Sequence, residues 1–437
     1  MSVPPTLLSL RSWGSLLRGL ESVPDLIETV AKQGWQCAAV AEYADLGTIV
    51  EAANAAARTG FKIIGAAEVD DGHGRSLIAI ARDNTGLEQL HQLVSVRRLA
   101  EPGGSAATQH SAPKNFDLVE TLTDEYRSLW ILVRAPGFAQ ELLDRLGSGA
   151  RRRIFIEIDR LRDSIAREHR GREAADQLGL QVVASTRVGM LQPTNERHLN
   201  LLESVRRVST IERVARDRND ETDSEISPIL TPIPSPNRWR QLYRDLPGAL
   251  ENAARIGRDA LKIDFAASKT IFPQFPVPTD QTPFGLLYEQ CHRGLLRRYG
   301  TVPRAAVERL AHELHIIDTM GFVPYFLVVG DIVSEAHRLG IECAGRGSGA
   351  ASIVSYLLGI TQVDPLAHRL RFERFLHPER KDLPDIDIDL CWQGRDDVID
   401  HVYRRYGADR TAMICTRTSL QVRSAVRETA RAYGLAP

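Results

Sequence analysis

Lysine is nearly absent from this chain: of 55 basic residues only six are lysines, at 32, 62, 114, 262, 269 and 381, and the other 49 are arginines. There is no surplus of positive charge either, because 56 acids leave a net charge of -1, so the overall balance is not that of a small nucleic-acid-binding domain. A local basic surface stays open. Cysteines are few: the five at 37, 291, 343, 391 and 415 are odd in number and never form a C-x-x-C pair, which argues against a zinc ribbon or a disulfide framework and for reduced thiols. No run approaches the ~18 to 20 apolar residues of a membrane span, and the opening residues lack the pattern of a secretory signal, so no membrane association and a cytoplasmic location are expected. No internal repeat, G-K-[ST] or H-E-x-x-H is present, which excludes a Walker A loop and a zincin helix.

What remains is a chain of 437 residues with ordinary hydrophobic (43%) and charged (25%) content, long enough for two or three domains with cores of their own. Residues 22–200 alternate helical and strand patterns. Ser22 and Pro24 open a helix that Gly34 closes. Apolar runs at 37–40, 61–67, 77–81, 130–133, 154–158 and 182–184 read as buried strands, with helices between them, among them about 47–59 and 84–98. This half is therefore expected to be α/β with a mainly parallel sheet or barrel. Residues 101–114 (EPGGSAATQHSAPK) have the composition of a surface loop, and the proline-rich stretches 227–237 and 272–284 bracket a small helical connector. Beyond them come helical patterns over 284–299 and 303–318, a hydrophobic cluster at 322–329, a glycine-rich turn and an acidic strand.

The acidic strand is PDIDIDL, residues 384–390. Strand alternation turns Ile386, Ile388 and Leu390 to a core and Asp385, Asp387 and Asp389 to the opposite face. Carboxylates stacked at ~6 to 7 Å repel one another, so the face either holds a cation, for which magnesium with its hard oxygen ligands fits best, or is a solvated edge that resists aggregation. The glycine-rich turn is GRGSGAAS, residues 345–352, running into the apolar segment 353–358. Its small residues, Arg346, Ser348 and the free N–H groups of a helix start would hold a phosphate; tight packing at a helix start is the other reading. The letters also match a dinucleotide fingerprint, but an Asp364-Pro365 turn and an arginine-rich segment follow where a second strand and its acid should stand. Arg369, Arg371, Arg374, Arg380 and Lys381 lie between loop and acids, and the combination points to metal-assisted phosphoryl or nucleotidyl transfer. The HELH segment at 312–315 reads as structural, on a helix with Leu310, Leu314 and Ile317.

The succession MGFVPYFLVV (320–329), GRGSGAAS, LGITQVDPL (358–366), RFERFLHPER (371–380) and PDIDIDL resembles the palm of bacterial C-family DNA polymerases, the DNA polymerase III alpha subunits. That resemblance implies DNA-directed nucleotidyl transfer from a deoxynucleoside triphosphate to a primer end by two-metal catalysis. It puts catalytic magnesium on Asp387 and Asp389 and the triphosphate on Gly347 and Ser348, to which the reading of the same loop adds Gly345 and Arg346. Arg374 and Arg380 join that nucleotide site. The N-terminal half looks like the family's PHP domain, a distorted β/α barrel with a metal cluster of histidines and acids. Here LSLRS (8–12) stands for L-H-x-H-S, AEY (41–43) for T-D-H and ASTRVG (184–189) for A-T-N-D-V-H. Glu68 keeps a ligand position and Glu42 is a conservative replacement, so a degenerate remnant with no bound metal and no phosphoesterase or proofreading activity is expected. SLLRG (15–19) and VRSAVR (422–427) lean toward the error-prone branch.

The resemblance divides the chain into a PHP-like α/β domain at 1–212, a proline-rich and helical connector at 213–283, the N-terminal part of a nucleotidyltransferase-like palm at 284–418 and the start of a thumb at 419–437. It places a third palm acid, a triphosphate-binding lysine and the fingers beyond Pro437. The implied partners are primer-template DNA, a deoxynucleoside triphosphate and other replication subunits. Two alternatives stay open: an inactive truncated homologue that binds nucleotide or serves as a scaffold, and, through GRGSGA, a nicotinamide-dependent enzyme.

Overall fold

The computed structural model describes residues 3–100, 116–220, 230–260, 263, 265, 272–379, 384–414, 416 and 419–435. The surface loop expected at 101–114, together with Arg380 and Lys381, lies outside the described residues. The chain forms two compact units, Met1–Ser268 with Ser419–Pro437, and Lys269–Thr418.

The first unit is built on one sheet of nine strands: β1 (Thr6–Leu10), β2 (Cys37–Tyr43), β3 (Lys62–Asp70), β4 (Ser76–Ala81), β5 (Leu129–Val133), β6 (Ile154–Ile158), β7 (Gln181–Ala184), β8 (Val188–Met190) and β9 (Thr231–Pro232). Their order is β7-β6-β5-β4-β3-β2-β1-β8-β9, and the sheet curls into a half-barrel. It is mainly parallel, as anticipated, with one reversal: β4 runs antiparallel to both β3 and β5. The reversal follows from the chain, because only residues 71–75 separate β3 from β4, while a parallel return needs a dozen residues or more.

Both sheet faces are apolar, which is why the strands read as unbroken hydrophobic runs. Ala38, Val40, Ile63, Leu77, Ala79 and Ile131 join one core, and Leu8, Ala39, Ile64, Ile78, Leu132 and Phe155 join the other. The helix Pro247–Ala260 covers that second face with Ala253, Ile256 and Ala260. Gly257 sets its approach: a Cβ there would lie 2.9 Å from Thr6 Cγ2 and 3.0 Å from Cys37 Sγ. Residues 230–260, read from the sequence as part of a connector, are thus built into the first unit. Trp239 and Tyr243 are fully buried, and Tyr243 Oη donates to Ile158 O at 2.7 Å. The helix Val422–Ala432, read from the sequence as the start of a thumb, also belongs to this unit, where it packs on Glu196–Arg206.

The second unit is helical. Pro283–Tyr299, Arg304–Thr319, Val323–Arg338 and Ile353–Leu358 surround a core that includes Leu287, Leu310, Phe326, Val354, Phe372 and Phe375. The hydrophobic cluster at 322–329 is the first half of the third of these helices. Beside them β10 (Cys343–Arg346) and β11 (Asp387–Leu390) form an antiparallel pair. Among the described residues no single helix is long and apolar enough to cross a membrane.

Candidate functional site

The pairing of β10 with β11 brings the two main sequence features together. Its register sets Arg346 opposite Asp387, Gly345 opposite Ile388 and Ala344 opposite Asp389. With side chains alternating, Asp387, Asp389 and Arg346 share one face, while Ile386 and Ile388 pack on the core. Asp385 precedes the strand and is exposed. Tyr325 anchors the entry to the strand by accepting from Ile386 N at 2.9 Å. Burial, reinforced by Asp385 and Asp387, raises the pKa of its phenol. The Arg346 guanidinium spans both carboxylates, with NH2 3.6 Å from Asp387 Oδ2 and Nε 3.3 Å from Asp389 Oδ2.

The loop is anchored at its start. Gly345 N donates to Ile360 O at 2.6 Å, and a Cβ on Gly345 would lie 2.6 Å from that same oxygen, so only glycine fits. Gly347 has φ 76°, and the position of its missing Cβ lies 3.7 Å from Asp387 Oδ2. Gly347–Ala351 then form a 3-10 turn, and Ser352 caps the helix Ile353–Leu358.

Here the structure corrects the sequence reading, because the N–H groups of that helix start are taken. The carboxylate of Glu313, wholly buried, accepts from Ile353 N at 3.1 Å, Val354 N at 3.4 Å and Ser352 Oγ at 2.7 Å, while Arg309 Nε donates to it at 2.6 Å. Burial pushes the Glu313 carboxyl up against the opposing pull of these donors. An internal carboxylate satisfies the orphan donors where a phosphate had been expected. What the loop offers to solvent is Arg346, Gly347 and Ser348, all exposed. Glu313 lies within the HELH segment and was missed; the available signal is an acid on the buried stripe of Leu310, Leu314 and Ile317. The turn Phe372–Arg374 packs on the loop turn, so Arg374 is carried close to it, whereas Arg380 lies outside the described residues.

A second cluster sits in the first unit at the carboxyl ends of its strands, where α/β sheets commonly place their sites. Glu68 near the end of β3 is ion-paired to Arg11 and to Arg187, whose Nε lies 3.2 Å away. Arg187 NH1 also pairs with Glu157, at the end of β6. Glu42 accepts from Ser12 N at 3.2 Å, Ser15 Oγ at 2.5 Å and Thr48 Oγ1 at 3.0 Å. All of these groups are buried, and burial, with Arg187 next in effect, lowers the Arg11 guanidinium to about 9. Neither Glu157 nor Asp159 had been singled out in the sequence; the signal for Glu157 is a charge inside the apolar strand IFIEI.

Residues 8–169 match the family model of the PHP domain, and residues 285–437 match that of the bacterial DNA polymerase III alpha NTPase domain. The chain combines a PHP domain with a DNA polymerase III alpha NTPase domain, and its homologues are C-family DNA polymerase alpha subunits. An error-prone DNA polymerase of Symbiobacterium thermophilum is 31% identical over 98% of this chain and 41% of its own length. The DNA polymerase III subunit alpha of Bacillus subtilis is 30% identical over 83% of this chain and 32% of its own. The chain thus spans 41% or less of these two curated relatives. A solved amidohydrolase of Chromobacterium violaceum aligns with 45% of this chain and 96% of its own at 16% identity and a TM-score of 0.28, a likeness that carries no argument.

In the PHP domain the donor set does not fit a metal cluster. The Glu68 carboxylate is enclosed by two guanidiniums, which repel a cation, and Glu42 is satisfied by backbone and hydroxyl donors. In the NTPase domain the fit is better: Asp387 and Asp389 are hard oxygen donors on one face, 44% and 65% exposed, leaving room for water and phosphate to complete a coordination shell.

One buried acid of the PHP domain makes stability depend on pH. Burial raises the Asp159 carboxyl to about 6 in spite of Arg162 and Arg134, and its Oδ2 has no hydrogen-bond partner. The unfolded chain releases this proton near ~3.9, so between the two values the folded state binds more protons and stability falls as pH rises. Asp159→Asn is expected to flatten the decline between about pH 4 and pH 6 and to exceed the wild type at pH 7 to 8. Urea midpoints across that range check it.

Proposed function

We propose that this chain contributes two catalytic carboxylates and part of the triphosphate site to DNA-directed nucleotidyl transfer, in the cytoplasm. The observation that carries the reading is the β10–β11 register, which holds Asp387 and Asp389 beside Arg346, with Gly347 next to Asp387 and Ser348 following it in the loop. Asp387 and Asp389 would hold magnesium. When bound there, magnesium would lower the pKa of the primer 3'-hydroxyl and neutralise charge on the phosphoryl group under attack. Gly347 leaves the backbone bare for close approach of a triphosphate, Ser348 donates to it, and Arg346 and Arg374 balance its charge. Tyr325 and Glu313 fix the acid strand and the loop from behind. Primer-template DNA, the deoxynucleoside triphosphate and other replication subunits are the partners of this reading. The PHP domain serves as a scaffold without phosphoesterase activity.

A second reading, an inactive homologue that keeps the fold, is favoured by the two ion pairs of Arg346, which neutralise the acids without a metal. Deoxynucleoside triphosphate binding to this chain, followed by fluorescence with and without magnesium, separates them. Magnesium-dependent binding weakened at least about tenfold by Asp387→Ala is expected. Binding indifferent to both magnesium and Asp387 would establish the second reading.

A further inference from the structure

We propose that Arg346 is an exchangeable counter-ion: its guanidinium bridges Asp387 and Asp389 while they hold no divalent cation, and leaves them for an anion at Gly347 and Ser348 when a cation arrives. The inference rests on the reading of Asp387 and Asp389 as the metal-holding pair and adds that metal and arginine compete for the same oxygens.

Three observations support it. The guanidinium is split between two carboxylates at 3.6 and 3.3 Å and engages neither in a two-pronged fork, the geometry that would lock it. All three side chains are substantially in water, Arg346 at 64%, so each pair is weak and easily exchanged. The backbone around them is held: Gly345 N is tied to Ile360 O, Ile386 N to Tyr325 Oη, and Ile388 packs on the core. Exchange therefore needs only side-chain rotation. Arg346 is followed directly by the left-handed Gly347 and the exposed Ser348, so the released guanidinium remains beside the donors that would meet a phosphate. A divalent ion thus frees a cation for the anion, and a polyphosphate that captures the arginine vacates the carboxylates for metal, which is mutual coupling in the strict sense.

The test is manganese binding to the whole chain, read from the electron paramagnetic resonance of free Mn2+, for wild type, Arg346→Gln and Asp387→Asn, with inorganic triphosphate binding measured in parallel. Arg346→Gln is expected to bind Mn2+ about 3- to 10-fold more tightly than wild type and triphosphate more weakly, while Asp387→Asn loses Mn2+. Arg346 is exposed, so this variant should fold, and unchanged circular dichroism verifies that it does. Equal or weaker Mn2+ binding by Arg346→Gln, with Asp387→Asn still deficient, overturns the inference and leaves the metal reading standing. Absence of saturable Mn2+ binding in all three chains overturns both.

Discussion

Replacing Arg187 by methionine should destabilise the first unit by about 3 to 5 kcal/mol, the range for removing one partner of a buried ion pair. Arg187 is 2% exposed and serves two buried acids, Glu68 and Glu157. Burial pushes the Glu157 carboxyl up, but Arg187 and Arg134 outweigh it and hold the group below its ordinary value. Methionine fills much of the volume and leaves both carboxylates without that cation, so at neutral pH they stay charged in a dry interior or take up protons. Either course costs folding free energy. Arg304→Met is the control: its pair with Glu308 is 2.7 Å long, but the side chains are 92% and 62% exposed, and the change should be under ~0.5 kcal/mol. Urea denaturation of both variants measures the contrast. Pairing Arg187→Met with Glu157→Gln should recover part of the loss, because one stranded charge is then removed.

Glu313→Ala should be as damaging to the second unit, by about 3 to 5 kcal/mol. The carboxylate is the acceptor for Ile353 N, Val354 N, Ser352 Oγ and the Arg309 guanidinium. Alanine removes it and opens a cavity among Leu310, Leu314 and Val354. Glu313→Gln keeps one oxygen acceptor and should lose less, about 1 to 3 kcal/mol. Hydrogen exchange of the Ile353 and Val354 amides reads the effect locally: both should exchange much faster in the alanine variant and only modestly faster in the glutamine one. A similar loss in both variants would mean that the negative charge matters more than the acceptor geometry.

Much of the fold was legible because periodicity is a local property. The apolar runs at 37–40, 77–81, 130–133 and 154–158 fall in strands of the sheet, as does 61–67 apart from Phe61, and the helices expected over 284–299 and 303–318 are Pro283–Tyr299 and Arg304–Thr319. The reversal of β4 could have been read from the short link before it. The helices after residue 230 were harder, since proline marks where regular structure starts or stops and says nothing of what it packs on. At the candidate site, the motifs showed which side chains carry charge but not which charges neutralise one another. Glu313 looked like one more acid on a helix, and only the folded chain shows it at the end of another helix. The loss of imidazoles from the PHP motifs was visible in Arg11 and Arg187, yet the acids they bind, Glu68 and Glu157, lie 57 and 30 residues from those respective partners.

The sheet order also governs when the molecule becomes able to fold. β1 lies between β2 and β8, and its Leu10 pairs with Val188. Once β2 has been made and paired, a chain synthesised from its N-terminus must therefore hold β1 half-paired while roughly 145 further residues emerge, about 7 to 30 seconds at ordinary synthesis rates. During that interval a buried segment, Thr6–Leu10, shows an unsatisfied edge to the cell. Chaperone dependence during synthesis, rather than poor stability of the finished protein, is then the natural weak point of its expression.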